Sequence, residues 1–169
     1  MKEINEKNMN DYAIPTELLQ WLIDNVPEGS TILELGSGTG TVELCKWFKV
    51  YTIEHNEKWM NRAKDAIYIN APIQHYEGYD WYDIEILKKE LPKKYDVIIV
   101  DGPPGKKIGR FGFIHNLELF DPNAIFIMDD TNRARDKTLS NQVAAKLGRP
   151  NIQHSTASMK GKNKNFDVI

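Results

Sequence analysis

A chain of 169 residues that is 41% hydrophobic and 27% charged has room for one globular domain and lacks the composition of a disordered one. Its net charge of −2 does not by itself draw a polyanionic partner, and its one cysteine, Cys45, excludes an internal disulfide and any multi-cysteine metal site. Residues 1–10 carry both charge signs, unlike a secretory signal, and no apolar run reaches the roughly 18 residues of a membrane span, so a soluble, cytoplasmic protein is expected.

In chain order, residues 15–26 read as a helix, with Pro15 suited to a first turn and Leu18, Leu19, Leu22, Ile23 and Val26 on one side. Pro27-Glu28-Gly29 breaks it, and 31–35 is a short strand ending at a glycine-rich turn. A short helix over 41–47 and a strand over 49–54 follow. Cys45, set among Leu44, Trp47 and Phe48, reads as a structural thiol. Asn56 is placed to cap a helix running to about 69. Residues 72–76 form a weak third strand, and 82–91 an amphipathic helix with Asp83 as its cap.

The most pronounced strand is 95–100, whose run Val97-Ile98-Ile99-Val100 is apolar without alternation, as when helices cover both faces of a sheet. A helix over 109–120, a buried strand over 124–128 and a helix over 131–147 come next. Residues 151–155 and 166–169 then close the sheet. This alternation predicts a single-domain α/β fold, a Rossmann-like doubly wound and mostly parallel sheet with helices on both faces. Residues 1–28 form its N-terminal helical segment and 29–169 its core. Ligands in such sheets bind beyond the carboxyl ends of the strands, near the switch in strand order. Attention therefore falls on 36–40, Glu54, the segment after Tyr76, Asp101 and Asp129.

In Glu34-Leu35-Gly36-Ser37-Gly38-Thr39-Gly40, alternate glycines allow a tight turn and close approach of a ligand to the backbone. The second strand ends in Glu54, twenty positions after Glu34, where a carboxylate can accept both ribose hydroxyls. Together these specify an adenosine-containing cofactor. The nicotinamide fingerprint needs a third glycine where Thr41 stands, and no phosphate loop of the G-x-x-x-x-G-K-[ST] type is present.

The E-x-G-x-G-x-G pattern resembles the first motif of class I S-adenosylmethionine-dependent methyltransferases. The likeness continues through Asp101-Gly102-Pro103-Pro104-Gly105 with Arg110 shortly after, and through Asp129-Asp130-Thr131-Asn132-Arg133. It extends also to Tyr79-Asp80-Trp81-Tyr82-Asp83. These segments are similar to a group of small bacterial methyltransferases with a D-G-P-P-G turn. A weaker likeness joins them to polysaccharide O-methyltransferases that act on uronic acid sugars and carry a D-G-P turn followed by Gly-Arg, matched by Gly109-Arg110.

The resemblance implies S-adenosylmethionine as cofactor, contacted by Glu34, Gly36, Ser37, Gly38, Gly40, Glu54, His55, Asp80, Trp81 and Asp101. It also implies O-methylation of a small hydroxylated acceptor, including an anionic, sugar-like one. Lys106, Arg110 and Arg133 are the candidates to bind that acceptor, Arg110 because its planar fork suits a carboxylate or phosphate. The chain is short and lacks an inserted cap. The acceptor pocket is therefore shaped by the N-terminal helix, the 102–110 loop, the basic tail, or a second subunit in a homodimer.

Asp101, Asp129 and Asp130 fall at neighbouring strand exits and are the catalytic candidates. Two readings stand: one carboxylate as general base, or the three together holding Mg²⁺. A structural role, with Asp130 capping the helix from Thr131 and Asp101 bracing the Pro-Pro turn, is the third. Between Arg133 and Lys164 lie eight Lys or Arg residues and one acid, Asp136, a solvated face or a rim attracting an anion. A nucleic-acid substrate is disfavoured, because no aromatics interleave with that run and the fourth strand lacks the [DN]-P-P-[YF] sequence of base amino-group methylation. A non-catalytic adenosine-binding subunit is the remaining alternative.

Overall fold

The computed structural model describes residues 3–5, 7, 9, 13–104, 109–156 and 164–169. Seven strands form one sheet in the order β3-β2-β1-β6-β7-β9-β8. They are β1 (Thr31–Leu35), β2 (Lys49–Glu54), β3 (Ile67–Asn70), β6 (Val97–Val100), β7 (Ile125–Met128), β8 (Ile152–Ser155) and β9 (Asn165–Val168). The run from β3 to β7 is parallel, whereas β9 lies antiparallel to both β7 and β8. The strand order reverses between β1 and β6, which makes that junction the switch point.

Both faces of the sheet are buried, and the central strands alternate between two cores. Leu33, Leu35, Ile98, Val100, Phe126 and Met128 point to one core. It is covered by α3 (Ile84–Glu90), α4 (Gly112–His115) and α5 (Ala134–Leu147). Ile32, Val97, Ile99 and Ile127 point to the other, covered by α1 (Thr16–Asn25) and α2 (Gly40–Leu44). The unbroken apolar run of β6 is this two-sided burial read along the chain.

Three expected elements differ. The helix expected from Asn56 to about 69 does not form. The Asn56 side chain instead accepts the Lys58 amide at 3.1 Å, a local turn that competes with a helix, and Asn61 has φ +59°, which interrupts helical winding. The alternating Ile67 and Ile69 then become β3, in register with Tyr51–Glu54.

Residues 73–76 consequently do not supply the third strand of the sheet. β4 (Ile73–Tyr76) pairs with β5 (Tyr79–Tyr82) in a separate antiparallel hairpin, and the following helix starts after Tyr82, with Asp83 accepting the Glu85 and Ile86 amides as its cap. The expected helix over 109–120 is broken into a 3-10 turn, Gly109–Phe111, the short α4, and a second 3-10 turn, Leu117–Leu119. No described helix is long and apolar enough to cross a membrane.

Candidate active site

The hydrogen-bond ladder of the sheet continues past the strand ends. Gly36 N donates to Ile53 O at 2.9 Å, Asp101 N to Leu35 O at 3.1 Å and Asp129 N to Val100 O at 3.2 Å. These bonds fix three strand exits side by side. A cavity of about 730 Å³ opens over them, with Gly36, Ser37, Glu54, Asp101, Arg110 and Asp130 in its wall. That volume is within the usual range for a small-molecule site.

Two glycines let the exits approach. Gly36 has φ +89°, and a Cβ there would lie 3.0 Å from Gly102 Cα. A Cβ on Gly102 would lie 2.8 Å from Gly36 Cα and 2.6 Å from the Tyr82 hydroxyl. Only hydrogen at both positions permits this backbone crossing.

Glu54 stands at the end of β2. Its Oε2 accepts the Ser37 amide at 3.0 Å, and its Oε1 accepts the His55 and Asn56 amides at 2.8 and 2.7 Å. Burial tends to raise this carboxyl, but hydrogen bonds from the His55 side chain and from the Asn56, Ser37 and His55 amides outweigh it and hold it below its ordinary value. A fixed, ionised carboxylate therefore faces the cavity, with His55 beside it.

Glu34 lies beneath the glycine loop, outside the cavity wall. Its Oε2 accepts from Thr41 Oγ1 at 2.8 Å, and Thr41 Oγ1 accepts the Gly38 amide at 3.0 Å. Burial pushes its pKa up to about 8 against these bonds. Gly38 thus serves the loop's internal bonding. Gly40 serves packing, since a Cβ there would meet Ala13 Cβ and Ile14 N at 3.2 Å.

On the other wall, one oxygen each from Asp101, Asp129 and Asp130 lie within 4.8 Å of one another. Arg110 fills their midst. Its Nη2 donates to Asp101 Oδ1 at 2.7 Å and to Asp130 Oδ2 at 2.8 Å, and its Nη1 to the Asp129 carbonyl at 2.7 Å. Arg133 Nη1 adds a contact to Asp130 Oδ2 at 3.0 Å. Burial, then the charges of Asp101 and Asp130, raise the Asp129 carboxyl well above its ordinary value. Asp101 is also raised, by burial first and Asp130 second, against the lowering charge of Arg110.

The other expected residues take varied positions about the cavity. Arg110, in the cavity wall, is 7% exposed, with Nη2 on Asp101 and Asp130 and Nη1 on the Asp129 carbonyl. Trp81 is fully buried beneath Gly112, where a Cβ would lie 2.5 Å from its Cε3; it is a core anchor, outside the cavity wall. Asp80 is on the hairpin, bound to His75 Nδ1 at 2.6 Å, also away from the cavity. Asp130 does not cap a helix: α5 begins at Ala134 with Arg133 in the cap position. Lys106 lies outside the described residues.

Sequence reasoning missed Trp59, Asp136 and Lys164, all in the cavity wall. Trp59, with the Arg62 guanidinium 4.2 Å from its ring centroid, was hidden by the expected helix. Asp136 sits 3.7 Å from Arg110 Nη1, and its position after two arginines was the available signal.

No protein-family model matches the chain. A curated relative, the 23S rRNA (uracil(747)-C(5))-methyltransferase of Pyrococcus abyssi, is 31% identical over 109 residues, which is 60% of this chain and 23% of the relative. The chain thus spans about a quarter of the length of that relative. Among solved structures, the O-methyltransferase from Bacillus cereus in complex with SAH matches at TM-score 0.62 and 15% identity, over 96% of this chain and 84% of that one. A methyltransferase from Pyrococcus furiosus matches at TM-score 0.61 and 15% identity, over 91% and 81%. The release-factor-specific protein-(glutamine-N5) methyltransferase from Alicyclobacillus acidocaldarius matches at 0.53 and 13%, over 98% and 97%.

With the strand order and the reversed β9, these likenesses show the fold: the chain has the Rossmann-like fold of these methyltransferase structures. The neighbours named here differ in what they methylate, so the fold does not choose the acceptor.

Proposed function

We propose that the chain is an S-adenosylmethionine-dependent methyltransferase acting on a hydroxyl of a small acceptor. The observation that carries this is the cavity at the β1–β6 switch, with ionised Glu54, Asp101 and Asp130 in its wall and Asp129 clustered behind the two aspartates. The residues present suit the cofactor. Glu54 is held by three amides with its carboxylate toward the cavity, as acceptance of two ribose hydroxyls requires. Gly36 and Ser37 of the glycine loop stand in the same cavity wall as Glu54.

S-adenosylmethionine, when bound, supplies an electrophilic methyl carbon whose bond to sulfur breaks with the electron pair remaining on sulfur. The chain's part is to align the acceptor and remove its proton. Asp101 lines the cavity and is the group we assign to take the hydroxyl proton. Arg110 Nη2, donating to Asp101 Oδ1 at 2.7 Å, keeps it oriented. Buried Asp130 Oδ1 accepts no hydrogen bond among the described residues, and a buried polar atom of this kind in a cavity wall suits a donor from a ligand. A hydroxylated acceptor provides one. Arg133, 59% exposed beside Asp130, is the contact for an anionic group such as a sugar carboxylate.

Methylation of a pyrimidine carbon, the activity in the relative's name, is less well supported. It calls for a nucleophile to add to the ring, and the chain's one thiol, Cys45, is outside the cavity wall with its pKa pushed up to about 12 by burial and the Glu34 charge.

Calorimetric titration with S-adenosylmethionine and its demethylated product tests the proposal. Wild type is expected to bind both, and Glu54→Gln to weaken binding by about 10- to 100-fold, the loss of hydrogen bonds to a charged acceptor. No binding by wild type refutes the reading. A screen of hydroxylated sugars, neutral against uronic, then identifies the acceptor.

A further inference from the structure

We infer that the cation of the three-aspartate cluster is Arg110 itself, so that the site works without a divalent metal. Three strand-exit carboxylates invite the opposite assignment, since hard cations choose oxygen ligands. The atoms do not fit it. Asp101 Oδ1 and Asp130 Oδ2 are both hydrogen-bonded to the same Nη2 of Arg110 at 2.7 and 2.8 Å, so a positive charge already bridges two of the three carboxylates. The second arm of the guanidinium is held as well, on the Asp129 carbonyl at 2.7 Å and 3.7 Å from Asp136 Oδ1.

Arg110 is also anchored by its backbone. It is 7% exposed and belongs to the 3-10 turn Gly109–Phe111. The next residue, Gly112, is pressed onto the Trp81 ring so closely that a Cβ would lie 2.5 Å from it. A divalent ion entering the cluster would meet this buried guanidinium as a like charge in a medium that screens poorly. A planar, permanently charged fork suits a buried bridge between carboxylates better than an exchangeable ion does.

The assignment changes what the site offers a ligand. With Asp101 Oδ1 and Asp130 Oδ2 held by Arg110, the buried Asp130 Oδ1 is left without a hydrogen-bond partner among the described residues, in a residue of the cavity wall where a hydroxyl of the acceptor would satisfy it. This consequence rests on the methyltransferase reading. The identity of the cation does not, and it is tested without cofactor.

Mn²⁺ serves as the probe, followed by electron paramagnetic resonance and by thermal melting of protein first treated with EDTA. Wild type is expected to show no saturable Mn²⁺ site and the same melting temperature in EDTA and in millimolar Mg²⁺. Arg110→Ala, which leaves the carboxylates uncompensated, is expected to melt lower and to be stabilised by Mn²⁺, binding one ion at least about tenfold tighter than wild type. Arg110→Gln serves if the alanine variant does not fold. Saturable Mn²⁺ binding by wild type that Asp130→Asn abolishes overturns the inference. So do folded Arg110 variants that gain no affinity for Mn²⁺.

Discussion

Replacing Glu34 by glutamine isolates the cost of a buried carboxylate under the cofactor loop. Its pKa is raised from an ordinary 4.5 to about 8, with burial as the largest cause. The unfolded chain therefore releases this proton near 4.5, while the folded chain keeps it until about 8. Between those values the folded state binds more protons, so the stability contributed by Glu34 falls as pH rises. At about 1.4 kcal/mol per pH unit, the interval from 4.5 to about 8 amounts to about 5 kcal/mol. That is a large part of the roughly 5–15 kcal/mol that holds a typical domain together.

Glutamine keeps the volume and an oxygen that can still accept from Thr41 Oγ1, but cannot ionise. Urea unfolding of both proteins from pH 5 to 9 measures the effect, and the difference between them cancels other titrations, including those of Asp101 and Asp129. Glu34→Gln is expected within about 1 kcal/mol of wild type at pH 5 and about 5 kcal/mol more stable above pH 8.5. A difference that stays flat across this range refutes the placement of a buried carboxyl, held only by neutral hydroxyl donors, beneath the loop.

Two packing variants test the scaffold. Gly102→Ala puts a methyl 2.8 Å from Gly36 Cα and 2.6 Å from the Tyr82 hydroxyl. Backbone cannot give way as a side chain can, so a loss of about 1–3 kcal/mol and loss of cofactor affinity are expected together. Unchanged melting and calorimetry would show that the two strand exits do not touch. Gly112→Ala drives a methyl to 2.5 Å from the Trp81 ring; at about 1–3 kcal/mol for overpacking and about 2–4 °C per kcal/mol, a fall in melting temperature of several degrees is the expected scan result.

Much of the fold was legible because the code is local there. The unbroken apolar run of β6 announced a strand covered on both faces, and Asp83 announced its cap by residue type alone. Glu34 through Gly40 and Glu54 marked the site because a tight strand-to-helix turn and an acid at the next strand end leave a characteristic spacing. Residues 56–69 misled, because their periodicity suits a helix while one Asn side-chain turn and one left-handed residue, Asn61, redirect the chain into β3. The segment 79–82 misled differently: its polar and aromatic residues resemble a cofactor wall, and only pairing with β4 shows that Trp81 faces the core.

The sequence by itself determined the kind of sheet, the strand exits where chemistry gathers, and the carboxylates that gather there, all consequences of hydrophobic period and turn residues within short windows. Only the tertiary structure decided what those carboxylates face. Arg110 meets Asp101 and Asp130 across 9 and 20 residues of chain, and no local pattern says whether a guanidinium will turn outward to a ligand or inward to an acid. That choice belongs to burial: once the β6 and β7 exits are held side by side, their charges cannot stay unpaired away from water, and the arginine that the following turn fixes against Trp81 is the cation within reach.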